Sequence, residues 1–202
     1  MNTRAADLNA PTPGADVTRA TKEQDLQQLL VETALEFVGM SAEETPHGIE
    51  FVLKKFALAL DCDAGFVCLY PPDKQTLVLR YLYRGASAAV RQNLQRDLKS
   101  KWFPWGMQLH NRLKPVVVND TRSMPKEATI DRRLVEALGL VSFVAIPMSV
   151  EGELIGSLGF GSSRADHDWR ELEVDVLSKL SQMITGALRQ QQAIESLKES
   201  EG

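Results

Sequence analysis

The sequence is short of most features that would announce a chemistry. It has two cysteines, Cys62 and Cys68. On one extended strand they would lie roughly 20 Å apart at the usual rise per residue, far beyond disulfide reach. They read as reduced, mostly buried thiols. There is no basic excess. The formal net charge is -4, whereas a phosphate-binding surface normally carries a positive one, so no nucleic-acid partner is expected. Nothing suits a membrane crossing, because the longest apolar stretch, residues 138–150, is too short and contains Pro147. Nor is there a secretory leader. Asp7, Asn9, Asp16, Pro11 and Pro13 stand where apolar residues would be needed. A cytoplasmic chain is the expectation. G-x-S-x-G, a phosphate-binding P-loop and H-E-x-x-H are all missing. Gly156, Gly159 and Gly161 fall in a strand and its exit rather than before a helix, so close backbone packing explains them better than a phosphate cradle.

What is present is a soluble globular composition, 44% hydrophobic and 25% charged, long enough to bury a core. Residues 1–21 are rich in Ala, Thr, Pro, Asn and Asp without apolar period, and read as a flexible N-terminal tail. Leu26, Leu29, Leu30, Thr33, Ala34, Phe37 and Val38 then follow a helical period, which Gly39 breaks. A second helix carries Ile49, Val52, Leu53, Phe56, Ala57 and Leu60 on one face, with Pro46 in its first turn. Residues 65–70 and 76–84 read as a hairpin around Pro71, Pro72, Asp73 and Lys74. A helix is expected near residues 90–98, and a short one after Trp102, Phe103, Pro104 and Trp105. A third strand falls at residues 115–119. Another helix covers residues 126–138 and closes on Gly139. Residues 141–150 and 153–160 form the strongest hairpin in the chain, with Glu151 and Gly152 as its two-residue turn. Asp168 and Glu171 suggest a capping box opening a long helix over residues 169–199.

The order of elements predicts an α+β fold. A mostly antiparallel sheet would carry the long terminal helices on one face, with short helices and loops over a pocket on the other.

From Trp102 onward the chain resembles a GAF domain of bacterial sensor proteins. The resemblance rests on Trp102-Phe103-Pro104-Trp105 ahead of a short helix, and on Val116-Val117-Val118-Asn119-Asp120 followed by Met124-Pro125. It rests further on Leu138-Gly139-Leu140-Val141-Ser142 running to Pro147-Met148, and on Ile155-Gly156, Leu158-Gly159-Phe160, a loop, Trp169 and the terminal helix. The resemblance implies a five- or six-stranded sheet over residues 22–188. It also implies a sensory and regulatory role ahead of an output domain of histidine kinase or diguanylate cyclase type. Residues 189–202 resemble a signalling-helix connector, so the chain is expected to be the N-terminal piece of a longer protein.

Each activity known in the family can be tested on residues. Members that bind cyclic nucleotides carry an Asn-Lys and an Asp-Glu dipeptide. This chain has neither, and Arg164 stands at the matching position. Members that attach a bilin use a Cys-His pair ahead of the glycine matching Gly139, but here the count lands on Ile130 and Asp131, which excludes a thioether. A free methionine sulfoxide reductase needs paired thiols at the pocket. Cys62 and Cys68 are expected away from it and lack basic neighbours. Haem would need His47, His110 or His167 as axial ligand. His110 is the one that could face the pocket, though a surface imidazole beside Asn111 and Arg112 is the plainer reading, and no cofactor is expected.

The candidate pocket comprises Trp102, Trp105, Met107 and Leu109 as apolar wall, with Asp120, Arg132, Arg133 and Ser142 as polar groups. The expectation is a non-catalytic sensor of a small molecule or partner, against a ligand-free dimerisation module. A homodimer is expected through the heptad-like Val176, Leu180, Met183, Ala187, Gln190, Ile194 and Leu197, supported by Leu26, Leu29, Leu30 and Phe37.

Overall fold

A computed structural model of the chain describes residues 13–85, 97–164 and 167–200. The first helix, α1, spans Pro13–Val38 and begins inside the segment expected to be a tail. Of that tail, residues 1–12 lie outside the described residues. Helix α2 spans Thr45–Ala59, with Pro46 in its first turn. Strands β1 (Ala64–Leu69) and β2 (Thr76–Arg84) follow as an antiparallel pair. Residues 90–96 of the helix expected near 90–98 lie outside the described residues. Its end, Asp97–Lys99, is instead a strand, β3, paired with β2.

A single 3-10 turn leads to α3 (Pro104–His110), then to β4 (Val116–Val118) and α4 (Thr129–Ala137). Helix α4 ends as its sequence demands. Gly139 adopts a left-handed φ of 78°, and the Leu140 N–H donates back to the Val135 carbonyl. Strands β5 (Ser142–Val150) and β6 (Glu153–Ser162) form the long hairpin. Its turn residues Glu151 and Gly152 both take positive φ, 52° and 84°, the conformation that matches the right-handed strand twist.

The long helix α5 spans Glu171–Ser200. Its start differs from the expected capping box. Glu173 reaches back to the Arg170 N–H at 3.0 Å, while Asp168 accepts a hydrogen bond from the Asn119 side-chain amide. Asn119 Oδ1 in turn accepts the Trp169 N–H at 3.0 Å, so the strand β4 exit fixes where α5 begins.

The six strands make one sheet in the order β3-β2-β1-β6-β5-β4, with every pairing antiparallel. One face carries α1, α2 and α5, which bury Leu26, Phe56, Leu180 and Ile184 against Val67, Val144, Leu158 and Phe160. The helical half of this layer follows from spacing alone. Val176, Leu177, Leu180, Ile184 and Leu188 recur at steps of one, three or four and all turn to the sheet. The opposite face carries α3, α4 and their loops over two smaller apolar clusters.

A bulge in β2 decides which residues reach that second face. Cys68 pairs with Leu79 but Val67 pairs with Tyr81, leaving Arg80 as the extra residue. Leu77 and Leu79 therefore face α3, whereas Tyr81 packs into the α1-α2-α5 layer. The glycines of β6 behave as close-packing positions. A Cβ at Gly159 would overlap the Phe66 ring, and one at Gly161 would lie 2.9 Å from Leu140 Cδ2.

Candidate functional site

The sheet face under α3 and α4 is not filled. A cavity of about 90 Å³ lies there, walled almost wholly by apolar atoms. Its floor is β1 (Phe66, Cys68, Tyr70), β2 (Leu77, Leu79), β5 (Phe143, Ala145) and Ser157 of β6. Its roof is Phe103, Trp105, Met107 and His110 from the α3 segment and Asp131, Val135, Leu138 and Leu140 from the α4 segment. The volume exceeds the ~10–15 Å³ that a single water needs on this measure, and so few polar partners line it that water has little to hold it.

Among the described residues, three polar groups besides the Tyr70 hydroxyl interrupt the apolar wall. The first is His110, which is buried. Its Nε2 donates to the Ala145 carbonyl at 3.2 Å, because a carbonyl can only accept. That assigns the tautomer, so Nδ1 accepts the Tyr70 hydroxyl at 3.0 Å. Burial holds the imidazole's pKa below its ordinary 6.5, against an opposing contribution from the Ala145 bond. The ring is therefore neutral at pH 7, and both its nitrogens are engaged. This replaces the surface imidazole expected from Asn111 and Arg112. A metal at His110 would have to displace the Tyr70 bond.

The second is Asp131. Its carboxylate accepts the N–H groups of Trp105 at 3.2 Å and of Gly106 at 2.8 Å. Phe103, the residue ahead of α3, offers no side-chain cap. Asp131 supplies it from the adjoining helix α4, satisfying two of the helix's unpaired donors. Desolvation pushes its pKa up, partly offset by those same hydrogen bonds. The third is Ser157, whose buried Oγ lies close to the Tyr70 hydroxyl without making a hydrogen bond of good geometry.

Of the residues proposed for the pocket from sequence, Trp105 and Met107 line the cavity. Leu109 packs against the neighbouring apolar cluster. Trp102 is half-buried and outside the cavity lining, packs against the cluster of Cys68, Leu77 and Leu98, and borders a separate shallow groove with Arg133, Ile130 and Leu134. Asp120 turns away to an ion pair with Arg122 at 2.6 Å and caps the turn that follows it. Arg132 is half-buried and outside the cavity lining. Ser142 is buried in β5, also outside it. The chemistry is thus more apolar than the sequence suggests, because the arginines of α4 point outward.

Cys68 was expected away from the pocket and instead lines it. Desolvation pushes its thiol up to about 12, so almost no thiolate exists at neutral pH. Cys62 belongs to the cluster on the other face of the sheet, and its thiol is raised further by burial and by Glu173. Both thiols are free. Ellman's reagent is expected to label neither within minutes in the native state and both at once in denaturant. Rapid native labelling of Cys68 would contradict its burial.

His110 makes the stability pH-dependent. Above about pH 6.5, the unperturbed value, folded and unfolded chains both hold it neutral. As pH falls below that, the unfolded chain gains a proton that the folded chain refuses until its lower pKa is reached. Stability is therefore full above pH 6.5 and falls below it, by at most about 1.4 kcal/mol per pH unit. Asp131, with its raised pKa, has the opposite sign in the more acidic range. Urea unfolding at pH 7.5 and 5.5 should show a larger loss in the parent than in His110→Gln. Equal losses would mean the imidazole is accessible to protons.

Among the described residues no group of three or more His, Cys, Asp or Glu is placed to hold a metal, and no helix is long and apolar enough to cross a membrane.

Comparison with known proteins bears on the whole arrangement. Among curated proteins none matches the chain by sequence. Solved structures do match in fold. Free methionine-R-sulfoxide reductase from Neisseria meningitidis, in complex with its substrate, is 15% identical with a TM-score of 0.64, covering 95% of this chain and 99% of that one. The phycoerythrobilin-bound GAF domain from a cyanobacterial phytochrome is 14% identical with a TM-score of 0.70, covering 84% and 97%. A domain of a two-component sensor histidine kinase protein from Sinorhizobium meliloti is 18% identical with a TM-score of 0.55, covering 72% and 92%. At such identities the likeness is one of fold, and it spans a reductase, a chromophore binder and a sensor. The sequence profile of the GAF domain matches residues 49–189, well over half the chain, from within α2 into α5. This chain belongs to the GAF domain family.

Proposed function

We propose that the domain is a non-catalytic regulator, in which a small molecule in the cavity is sensed and its presence passed along α5 to an output domain. The observation that carries this is the apolar cavity itself, set on the sheet face opposite the long helices. A domain with no use for that space would fill it, since interiors pack closely. The raised Cys68 thiol and the remoteness of Cys62 speak against a thiol mechanism. Tyr70 supplies a short route outward. It lines the cavity and also borders the groove where Gln191, Gln192 and Glu195 of α5 lie beside β1 and β2. A ligand that moves Tyr70 therefore acts within one residue of the helix that would carry the signal.

Thermal unfolding against a metabolite panel tests the reading. A true ligand at one hundred times its dissociation constant adds roughly 2.7 kcal/mol. A panel without any stabilising compound would favour the second reading, a ligand-free dimerisation module.

One observation supports that second reading, and it bears on which face a dimer would use. Leu26, Leu30, Val176 and Leu180 are buried in the chain's own core and cannot meet a partner. Leu29, Phe37 and Met183 pack against the same core. Ala187 and Ile194 are half-buried. Among the described residues of α1, Val31, Leu35 and Val38 are the large apolar ones left outside, 61%, 70% and 88% exposed and at helical spacing. Leu197 near the end of α5 is 62% exposed. A homodimer would use this face.

A further inference from the structure

The cavity's walls restrict what can occupy it, and the restriction goes further than its size. Resting on the sensor reading above, we propose that the ligand is an uncharged molecule of one six-membered ring, bearing a hydroxyl or N–H group that bonds to Ser157.

Size sets the first limit. The cavity holds about 90 Å³, against the roughly 150 Å³ of an engineered apolar cavity that takes up benzene. A single ring is therefore the upper limit of what this volume takes, and a nucleotide or a tetrapyrrole exceeds it.

Charge sets the second. Among the described residues no lysine or arginine lines the cavity. Its one acidic residue, Asp131, directs its oxygens to the backbone of Trp105 and Gly106. His110 is held neutral by burial, with both nitrogens already bonded. An anion would lose its hydration shell and meet a carboxylate instead of a counter-charge. A cation would find Asp131 already committed.

Shape and polarity set the third. Phe66, Phe103, Trp105 and Phe143 contribute aromatic wall, which favours a flat ring packed against face or edge. Ser157 Oγ is buried in the wall with no hydrogen-bond partner of good geometry. A buried hydroxyl left unpaired is costly, and a ligand group that pairs with it relieves that cost. Sites built to bond a ligand hydroxyl discriminate strongly against the analogue that lacks it.

The experiment uses the whole chain with phenol, toluene and benzoate as probes, followed by thermal shift and by titration calorimetry at pH 7.5. Phenol and toluene should bind and benzoate should not. Ser157→Ala should weaken phenol about tenfold, a loss of about 1.4 kcal/mol, and leave toluene unchanged. Ser157→Cys keeps the volume with a weaker hydrogen-bonding group and should fall between the two; it serves if the alanine variant fails to fold. Phenol binding that neither variant weakens overturns the anchoring role of Ser157. Benzoate binding as tightly as phenol overturns the ligand class, yet leaves the sensor reading standing. If none of the three probes binds and a wider metabolite panel also fails, both fall together; if that panel yields a charged or larger ligand, only the class is wrong.

Discussion

Leu180→Asp is expected to abolish cooperative folding, while Leu197→Asp should unfold at the parent's temperature. Both leucines lie on α5, and sequence periodicity places them on the same seam. The structure separates them. Leu180 is completely buried against the sheet, and Leu197 is 62% exposed beyond the domain's edge. An aspartate at position 180 would be an unpaired charge among Val67, Val144 and Leu158. Losses from such burial exceed the ordinary range and reach about 4–5 kcal/mol or more, comparable with the whole stability of a typical domain. Far-UV circular dichroism through a urea titration reads the difference. A folded Leu180→Asp variant with near-parental stability would mean that this face of α5 meets a partner or solvent instead of the sheet. Leu35→Asp combined with Leu197→Asp, followed by light scattering, then asks separately whether the exposed face holds two chains together.

Asp131→Ala should cost about 2–4 kcal/mol, the loss of two charge-assisted hydrogen bonds less what water can restore. In a chain of this length that lowers the melting temperature by roughly 5–12 °C. The residue is the cap that α3 lacks in its own sequence, and it ties the two halves of the cavity roof together. Asp131→Asn keeps one accepting oxygen and should lose less than the alanine variant. Equal and negligible losses in both would show that solvent satisfies the Trp105 and Gly106 N–H groups, and that the roof is open. The same comparison in the presence of a bound cavity ligand should narrow the gap, because the ligand would hold the roof from inside.

Much of this architecture is readable from short-range physics. Glu151 and Gly152 announce the long hairpin because so few residues accept two positive φ angles in succession. Gly139 marks the end of α4 for the same reason. The losses come where a local pattern has two tertiary solutions. Helix α5 carries apolar residues on adjoining faces, and Val176, Leu177, Leu180, Met183, Ile184, Ala187 and Leu188 fit both a seam toward another chain and a stripe toward the sheet. Periodicity cannot tell a partner's core from its own. In β2, strict alternation would put Tyr81 on the face of Leu79, and only the bulge at Arg80 sends it to the other side.

The site was less legible than the fold. Asp131 and His110 sit among charged and polar neighbours in sequence, so each resembles a surface residue. Each is drawn inward by a group distant along the chain: the N–H groups of α3 for Asp131, and Tyr70 and Ala145 for His110. Conversely Asp120, Arg132 and Arg133 looked convergent because they flank the right elements, yet their helix and turn phases carry them outside the cavity lining.

The outermost strands have a consequence for behaviour at high concentration. β3 and β4 are each three residues long. An edge of that length exposes few unsatisfied amides, so it is a poor template for another chain to extend the sheet. Among the described residues, the sheet edges thus disfavour strand-by-strand growth toward fibrils while the domain stays folded. Self-assembly of the folded protein is then left to faces such as the exposed apolar stripe of α1, and docking of one such face on its own copy ends in a closed particle rather than an open-ended one.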